Sequence, residues 1–317
     1  MVAVQADSQD DLDFSIGNLP EGLNVSATTA PPTGLGELDH LSLKQDVDQF
    51  GLAGKIWQSA YMLQSYFSPT WRQSTIPAPP IPNEYCLDNN DQDGSNDTTI
   101  PTKPFRIVEL GAGTGYVGIW LAKMLRQPSE IYITDLEQVL PLIRDNVATH
   151  YQPHNADTST TVHVQRLHWG NKEDINALLA DGPIDLVIVS DCVYFPELFE
   201  LLTTTLQDIC NPTTKVVIGY KCRSLEKEAG FWQDYFGRFF DYEPVWKLIP
   251  DTDEEEEEQQ QQQGQEKDCN EKKLVQGGML GEEEQVYIFV GSKRPEGQIK
   301  AADDTFTTLL FCNIMDL

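Results

Sequence analysis

The stretch that most limits what this chain can fold into is FRIVELGAGTGYVG, residues 105–118. Residues 106–110, RIVEL, read as a buried strand. Gly111, Gly113 and Gly115 follow without a spacer, and residues 116–125 carry Val117, Trp120, Leu121 and Leu125 at helical spacing. A strand that stops in a glycine turn and opens into a helix is a nucleotide-type ligand cradle. Glycine lets a ligand approach the backbone, and the helix start offers unpaired N–H groups. The dinucleotide fingerprint G-x-G-x-x-G needs a third glycine where Tyr116 stands, so that cofactor class is excluded. On this stretch alone, a tight strand–helix turn with no ligand remains an equally physical reading.

From residue 105 onward strand and helix patterns alternate. Strands are predicted over 106–110, 130–134, 161–167, 184–189, 215–220, 243–248 and 285–290. Helices are predicted over 116–125, 139–150, 172–179, 196–209 and 226–239. Such alternation gives an α/β fold with a largely parallel sheet. The last two strands have no helix between them, only a Glu/Gln tract over 251–284, which predicts an antiparallel pair joined by a long loop. Upstream, 41–43 alternates like a short strand and 48–67 has helical spacing. Residues 71–103 hold a Pro-rich and then an Asn/Asp-rich piece, read as a surface-loop insertion. We therefore expect a disordered acidic segment over 1–37, one domain over 38–295 with insertions at 71–103 and 251–284, and a tail over 296–317. The late apolar piece FTTLLF has no assignment.

The net charge of −28 is concentrated rather than spread. Residues 1–50 carry nine acids and one lysine, and residues 251–284 thirteen acids and three lysines. No basic footprint for a nucleic acid is visible. A run long enough for a membrane helix is missing, and the N-terminus lacks a signal layout. Six cysteines without paired spacing argue against a zinc site or a disulfide framework, and so predict no metal and a reducing, cytoplasmic setting.

Ligands of open α/β sheets bind at the carboxyl ends of the strands, where several residues stand out. Asp135 ends the second strand of the sheet; its carboxylate can accept both hydroxyls of a ribose or cap the next helix. Trp169, in LHWG, can flank an adenine or close the sheet edge. Ser190 and Asp191 end the fourth strand in SDCVY. Asp191 and Tyr194 are three apart, so they face the cleft together or else serve as cap and packing residue. Cys192 reads as a small buried residue.

Together these segments resemble a family. ELGAGTG resembles motif I of the seven-strand S-adenosylmethionine (SAM) methyltransferases. The set QDVDQFGLAGKIWQSAYMLQSYF, VELGAGTGYVGI, ITDL, LHWG and DLVIVSDCVYFPELFELL resembles the family 16 protein-lysine methyltransferases. Those enzymes modify chaperones, an AAA ATPase and translation elongation factors. The resemblance implies a Rossmann-like, seven-stranded class I sheet with an antiparallel last strand. It implies SAM as cofactor, held by Trp57, Gly111, Ala112, Gly113, Asp135, Trp169 and Ser190. The family's D-x-x-Y falls on Asp191 and Tyr194, beside the methyl group and the target lysine. It further implies a protein partner such as elongation factor 1-alpha, a chaperone or an AAA ATPase, and a monomeric enzyme. Ser190 departs from the pattern, standing where a small apolar residue is common, and the two insertions exceed the family core.

In this reading a neutral lysine amine attacks the methyl in line, with Trp57 and Tyr194 as desolvating walls. Asp191 is an orienter rather than a base, because a carboxylate beside the amine favours its charged form. Two other functions stay open: methylation of a small molecule or nucleic acid, and a non-catalytic SAM-binding module. Against the first, SDCVYF lacks the Asp/Asn-Pro-Pro-Tyr motif of nucleic-acid amine methylators. Against the second, Glu109, the glycines and Asp135 are intact.

Overall fold

The computed structural model describes residues 40–86, 101–152, 160–251 and 274–309. The segment over 1–37 and much of the two expected insertions lie outside the described residues. The chain enters through α1 (Val47–Phe50), a 3-10 turn (Gly51–Gly54), α2 (Gln58–Phe67), α3 (Pro69–Arg72) and β1 (Thr75–Ile76). The single helix expected over 48–67 is broken because Gly51 turns to a φ of +55° and ends α1. Leu41 and Leu43 are buried with Ser42 exposed, yet they lie in no strand; the alternation reflects an extended segment crossing the core.

The regular part runs β2 (Phe105–Leu110), α4 (Tyr116–Met124), β3 (Ser129–Asp135), α5 (Leu140–His150), β4 (Thr161–Arg166), α6 (Lys172–Leu179), β5 (Leu186–Ser190), α7 (Phe199–Ile209) and β6 (Lys215–Lys221). Then come α8 (Leu225–Gly230), a π-helical stretch (Phe231–Phe236), α9 (Gly237–Phe239), β7 (Phe240–Pro244), β8 (Trp246–Pro250), β9 (Leu274–Met279) and β10 (Val286–Lys293). Seven strands form one sheet in the order β4-β3-β2-β5-β6-β10-β7. β2 to β6 run parallel, and β10 is antiparallel to both neighbours. The α/β fold with an antiparallel last strand thus forms as the sequence predicts.

One predicted strand, over 243–248, is in fact two. Val245 donates its N–H to the Ile288 carbonyl in the main sheet, and its own carbonyl accepts from Leu280 N–H beside β9. The chain therefore leaves the large sheet at Val245, and β8 pairs with β1 and β9 in a small second sheet. Two stretches assigned to insertions, 75–76 and 274–279, are thus built into the fold.

The large sheet separates two apolar layers. Ile107, Ile133, Ile188 and Val217 point into the layer shared with α2, α4 and α5. Val108, Leu110, Val189 and Ile218 point into the layer with α6, α7 and the π-helical stretch. Both faces are covered, which explains the unbroken burial of β2. On α7, Phe199, Leu202, Leu206 and Ile209 recur at helical spacing and are all buried. Helix α2 lies close on β6 at Gly219, where any Cβ would come within 2.9 Å of Leu63. The first part of FTTLLF is a helical turn over 305–309 that seats Phe306 against Trp232, ring centres 5.1 Å apart.

Candidate active site

The chain moves from β2 outward to β3 and β4, then returns to β5 on the other side of β2. The crevice at the carboxyl ends of β2 and β5 is therefore a topological switch point, where open α/β sheets bind ligands. A cavity of about 680 Å³ opens there. Its lining includes Trp57, Gly111, Ala112, Gly113, Asp135, Trp169, Ser190, Asp191 and Tyr194. All nine residues singled out from the sequence are brought to one place.

On the β2 side, the turn after Leu110 holds Gly111, Gly113 and Gly115 at φ of +61°, +56° and +78°. At Gly113 the backbone of the entry segment lies so close that a Cβ would meet the Ala53 carbonyl oxygen at 2.9 Å. Asp135 ties this loop to the end of β3. Its Oδ2 accepts from Gly113 N–H and its Oδ1 from Leu136 N–H, each at 2.7 Å. Each oxygen keeps a further lone pair for a ligand hydroxyl. Beneath the loop Glu109 accepts from Gly118 N–H at 2.8 Å. Burial, with the charge of Asp135 adding, pushes the Glu109 carboxyl up to about 8, against its hydrogen bonds from the backbone. Burial likewise lifts Asp135 to about 6, against its two N–H donors. The Trp169 ring packs under Gly111, where a Cβ would stand 3.0 Å from the ring edge and 2.9 Å from Cys192 Sγ. Burial first, and the surrounding carboxylates next, raise the Cys192 thiol, so it is the buried small residue the sequence suggested.

On the β5 side the structure gives Asp191 a partner that the sequence reading did not name. Both Asp191 oxygens are taken by Arg223, with Nη1 to Oδ1 at 2.8 Å and Nη2 to Oδ2 at 2.6 Å. The two side chains are 1% and 9% exposed, so this is a buried, bidentate pair. Asp191 itself sits at a φ of +58°, a region that Asp tolerates better than most residues. Its N–H donates to the Gly219 carbonyl at 2.8 Å, which fixes the turn to β6. Arg223 follows β6 by two residues and lines the same cavity. Sequence reasoning missed it: its place just past the strand predicted over 215–220 was visible, but the pairing of that strand with β5 was not.

The remaining wall is Trp57. Its Nε1–H donates to the Leu52 carbonyl at 3.0 Å. Arg223 lies 5.5 Å and Lys55 Nζ 4.9 Å from the ring centre. Burial and then the charge of Arg223 lower the Lys55 ammonium from its usual value. Tyr194 is half-buried against Phe195, ring centres 4.8 Å apart.

The residues fit SAM. The cavity falls in the roughly 300–1,000 Å³ range of small-molecule sites, the glycine loop admits a ligand backbone-close, and Asp135 offers acceptors for a ribose. A seven-stranded sheet of this order, with a glycine loop and an acidic residue ending its first two parallel strands, defines a class I SAM-dependent methyltransferase. Within that class, residues 37–235 match the lysine methyltransferase family, and the chain belongs to it. It is a SAM-dependent protein-lysine methyltransferase.

Similar proteins include protein-lysine N-methyltransferase EFM6 of Saccharomyces cerevisiae, 26% identical over 198 residues, 59% of this chain and 70% of that protein. EEF1A lysine methyltransferase 3 of Mus musculus is 29% identical over 204 residues, 64% and 71% of the two chains. Protein N-lysine methyltransferase METTL21A of Mus musculus is 24% identical over 191 residues, 60% and 70% of the two.

Proposed function

We propose that the crevice between β2 and β5 holds SAM on its β2 side and the target lysine on its β5 side, and that the target protein is elongation factor 1-alpha. The observation that carries a shared site is the convergence of all nine predicted residues on one cavity. The division of roles follows the glycine loop and Asp135 at the ends of β2 and β3 against Asp191 and Tyr194 after β5. In this reading Gly111, Ala112 and Gly113 give a close backbone surface, Asp135 grips the ribose hydroxyls, and Trp169 and Ser190 border the adenosyl part. Trp57 and Tyr194 wall the acceptor channel and exclude water from the amine. Asp191 orients that amine.

Bound SAM supplies an electrophilic methyl: the amine lone pair forms the N–C bond, the S–C electron pair stays on sulfur, and the surplus proton goes to solvent. The chain's own residues contribute orientation and dehydration, each a substantial share of a methyl-transfer barrier.

The elongation-factor target is supported by the relatives named EEF1A lysine methyltransferase 3 from Mus musculus and Xenopus tropicalis. Incubating the protein with labelled SAM and purified elongation factor 1-alpha, then mapping methyl-lysine by mass spectrometry, tests it. Methyl-lysine on the factor is expected. An unmodified factor beside a methylated chaperone or AAA ATPase would reassign the target. A cytoplasmic, monomeric enzyme is part of the same reading; for the compartment, its support is that Cys192, Cys210 and Cys222 stand as thiols rather than in disulfides. A fluorescent fusion and gel filtration check it, and an organellar signal or a dimer peak would overturn it.

A further inference from the structure

We propose that Arg223 is a positioning residue that holds Asp191 and cancels its charge, so that the target lysine is received as a neutral amine. The inference rests on the placing of Asp191 beside that amine. A bare carboxylate there poses a problem: a lysine amine with a solution pKa near ~10.4 is already charged at neutral pH, and a neighbouring anion strengthens its hold on the proton. The bidentate Arg223 pair offsets that negative charge while leaving carboxylate edges that can accept a hydrogen bond.

The surroundings carry both signs, and on Lys221 burial and Arg223 outweigh the opposing Glu284 and Asp191. From the entry segment come Lys55 and the exposed Asp48; from the β6 end come Lys221 and Cys222; from the β5 turn come Asp191, Cys192 and Tyr194. Glu228 of α8 accepts from Arg223 N–H at 3.1 Å, and Glu284, near β10, accepts from Lys221 through its carbonyl and from Gln58 through its side chain at 3.2 Å. Both resident lysines are pushed down, by burial first and by Arg223 next. An amine entering between Trp57, Tyr194 and Asp191 meets the same burial and the same guanidinium. Arg223 also flanks the Trp57 ring, so one side chain sets both the charge and a wall of the channel.

The test is the pH–rate profile of methylation between about pH 7 and 10 for Arg223→Gln and Asp191→Asn, with SAM affinity measured in parallel by calorimetry. Arg223→Gln leaves the carboxylate unpaired, and its acid limb should move up by about one pH unit or more, near tenfold slower at neutral pH, the gap closing as pH rises. Asp191→Asn leaves the guanidinium unbalanced, and its limb should move down although its plateau falls. Arg223→Lys keeps the charge and should keep the limb near that of the parent. SAM affinity should stay within a few fold throughout. Limbs that do not move while the plateau falls would overturn the proposal and leave Asp191 as a mere orienter; if Arg223→Gln does not fold, the Asp191→Asn limb decides alone. An Asp191→Asn enzyme with the parent's plateau rate would instead refute the placing of Asp191 beside the amine.

Discussion

Asp135 shows how much a single side chain carries here. It joins the glycine loop to β3 by two hydrogen bonds and offers its remaining lone pairs to the cavity. Asp135→Ala should cost about 3 kcal/mol of SAM binding, roughly a hundredfold in Kd, with a smaller loss of thermal stability. Calorimetry on the folded variant checks this, and unchanged affinity would remove the ribose role. Because its folded carboxyl titrates at about 6, SAM affinity should also weaken as pH falls through that value. Glu109 gives a stability prediction of definite sign. The folded chain binds its proton near pH 8 and the unfolded chain near 4.5, so its contribution favours folding at acidic pH and is lost as pH rises through 8. Relative to Glu109→Gln, the parent protein without SAM should gain melting temperature on going from pH 8.5 to 6. Asp135, Trp169 and Asp191 were legible because each follows a predicted strand by one or two positions. Arg223 was not, since a lone arginine past a strand has no spacing that ties it to Asp191, 32 positions earlier; only the fold brings the two together.

At the scale of elements, the entry segment and the glycine loop form one unit. Gly113→Ala would place a methyl 2.9 Å from the Ala53 carbonyl at a φ of +56°. The backbone conformation alone costs roughly 1–2 kcal/mol, and the segment must also shift. The variant should lose both melting temperature and SAM affinity, whereas loss of stability alone would mean that the segment does not close the cofactor side. The parallel strands were readable from sequence because short β-branched and apolar stretches such as Leu186 to Val189 alternate with helical patterns, although β2 carries Arg106 and Glu109 and β4 is only half-buried. The break at Val245 was not, because Phe240 to Pro250 reads as one stretch and the split is decided by pairing with Ile288 and Leu280. β9 was hidden by the composition of the tract that precedes it.

For the molecule as a whole, charge and fold are largely separate. β8 and β9 pair with Pro250 opposite Leu274, so deleting residues 253–273 leaves two strands already in register and a short connection. Loop length changes stability slowly, about 0.6 kcal/mol per doubling, so the melting temperature should shift by only a few degrees. The seven acids between 251 and 258 can attract a basic protein surface at long range. If they do, the deletion slows methylation at low salt and has little effect at high salt, where screening removes the attraction; a collapse in melting temperature would show that the tract supports the small sheet. The decisive experiment gives the purified protein methyl-labelled SAM and an extract of cells lacking this chain, with Asp135→Ala as control. Label should enter protein as methyl-lysine with the parent enzyme and be nearly absent with the variant. Label found only in nucleic acid or small molecules, or equal labelling by both proteins, would contradict a SAM-dependent protein-lysine methyltransferase working through this crevice.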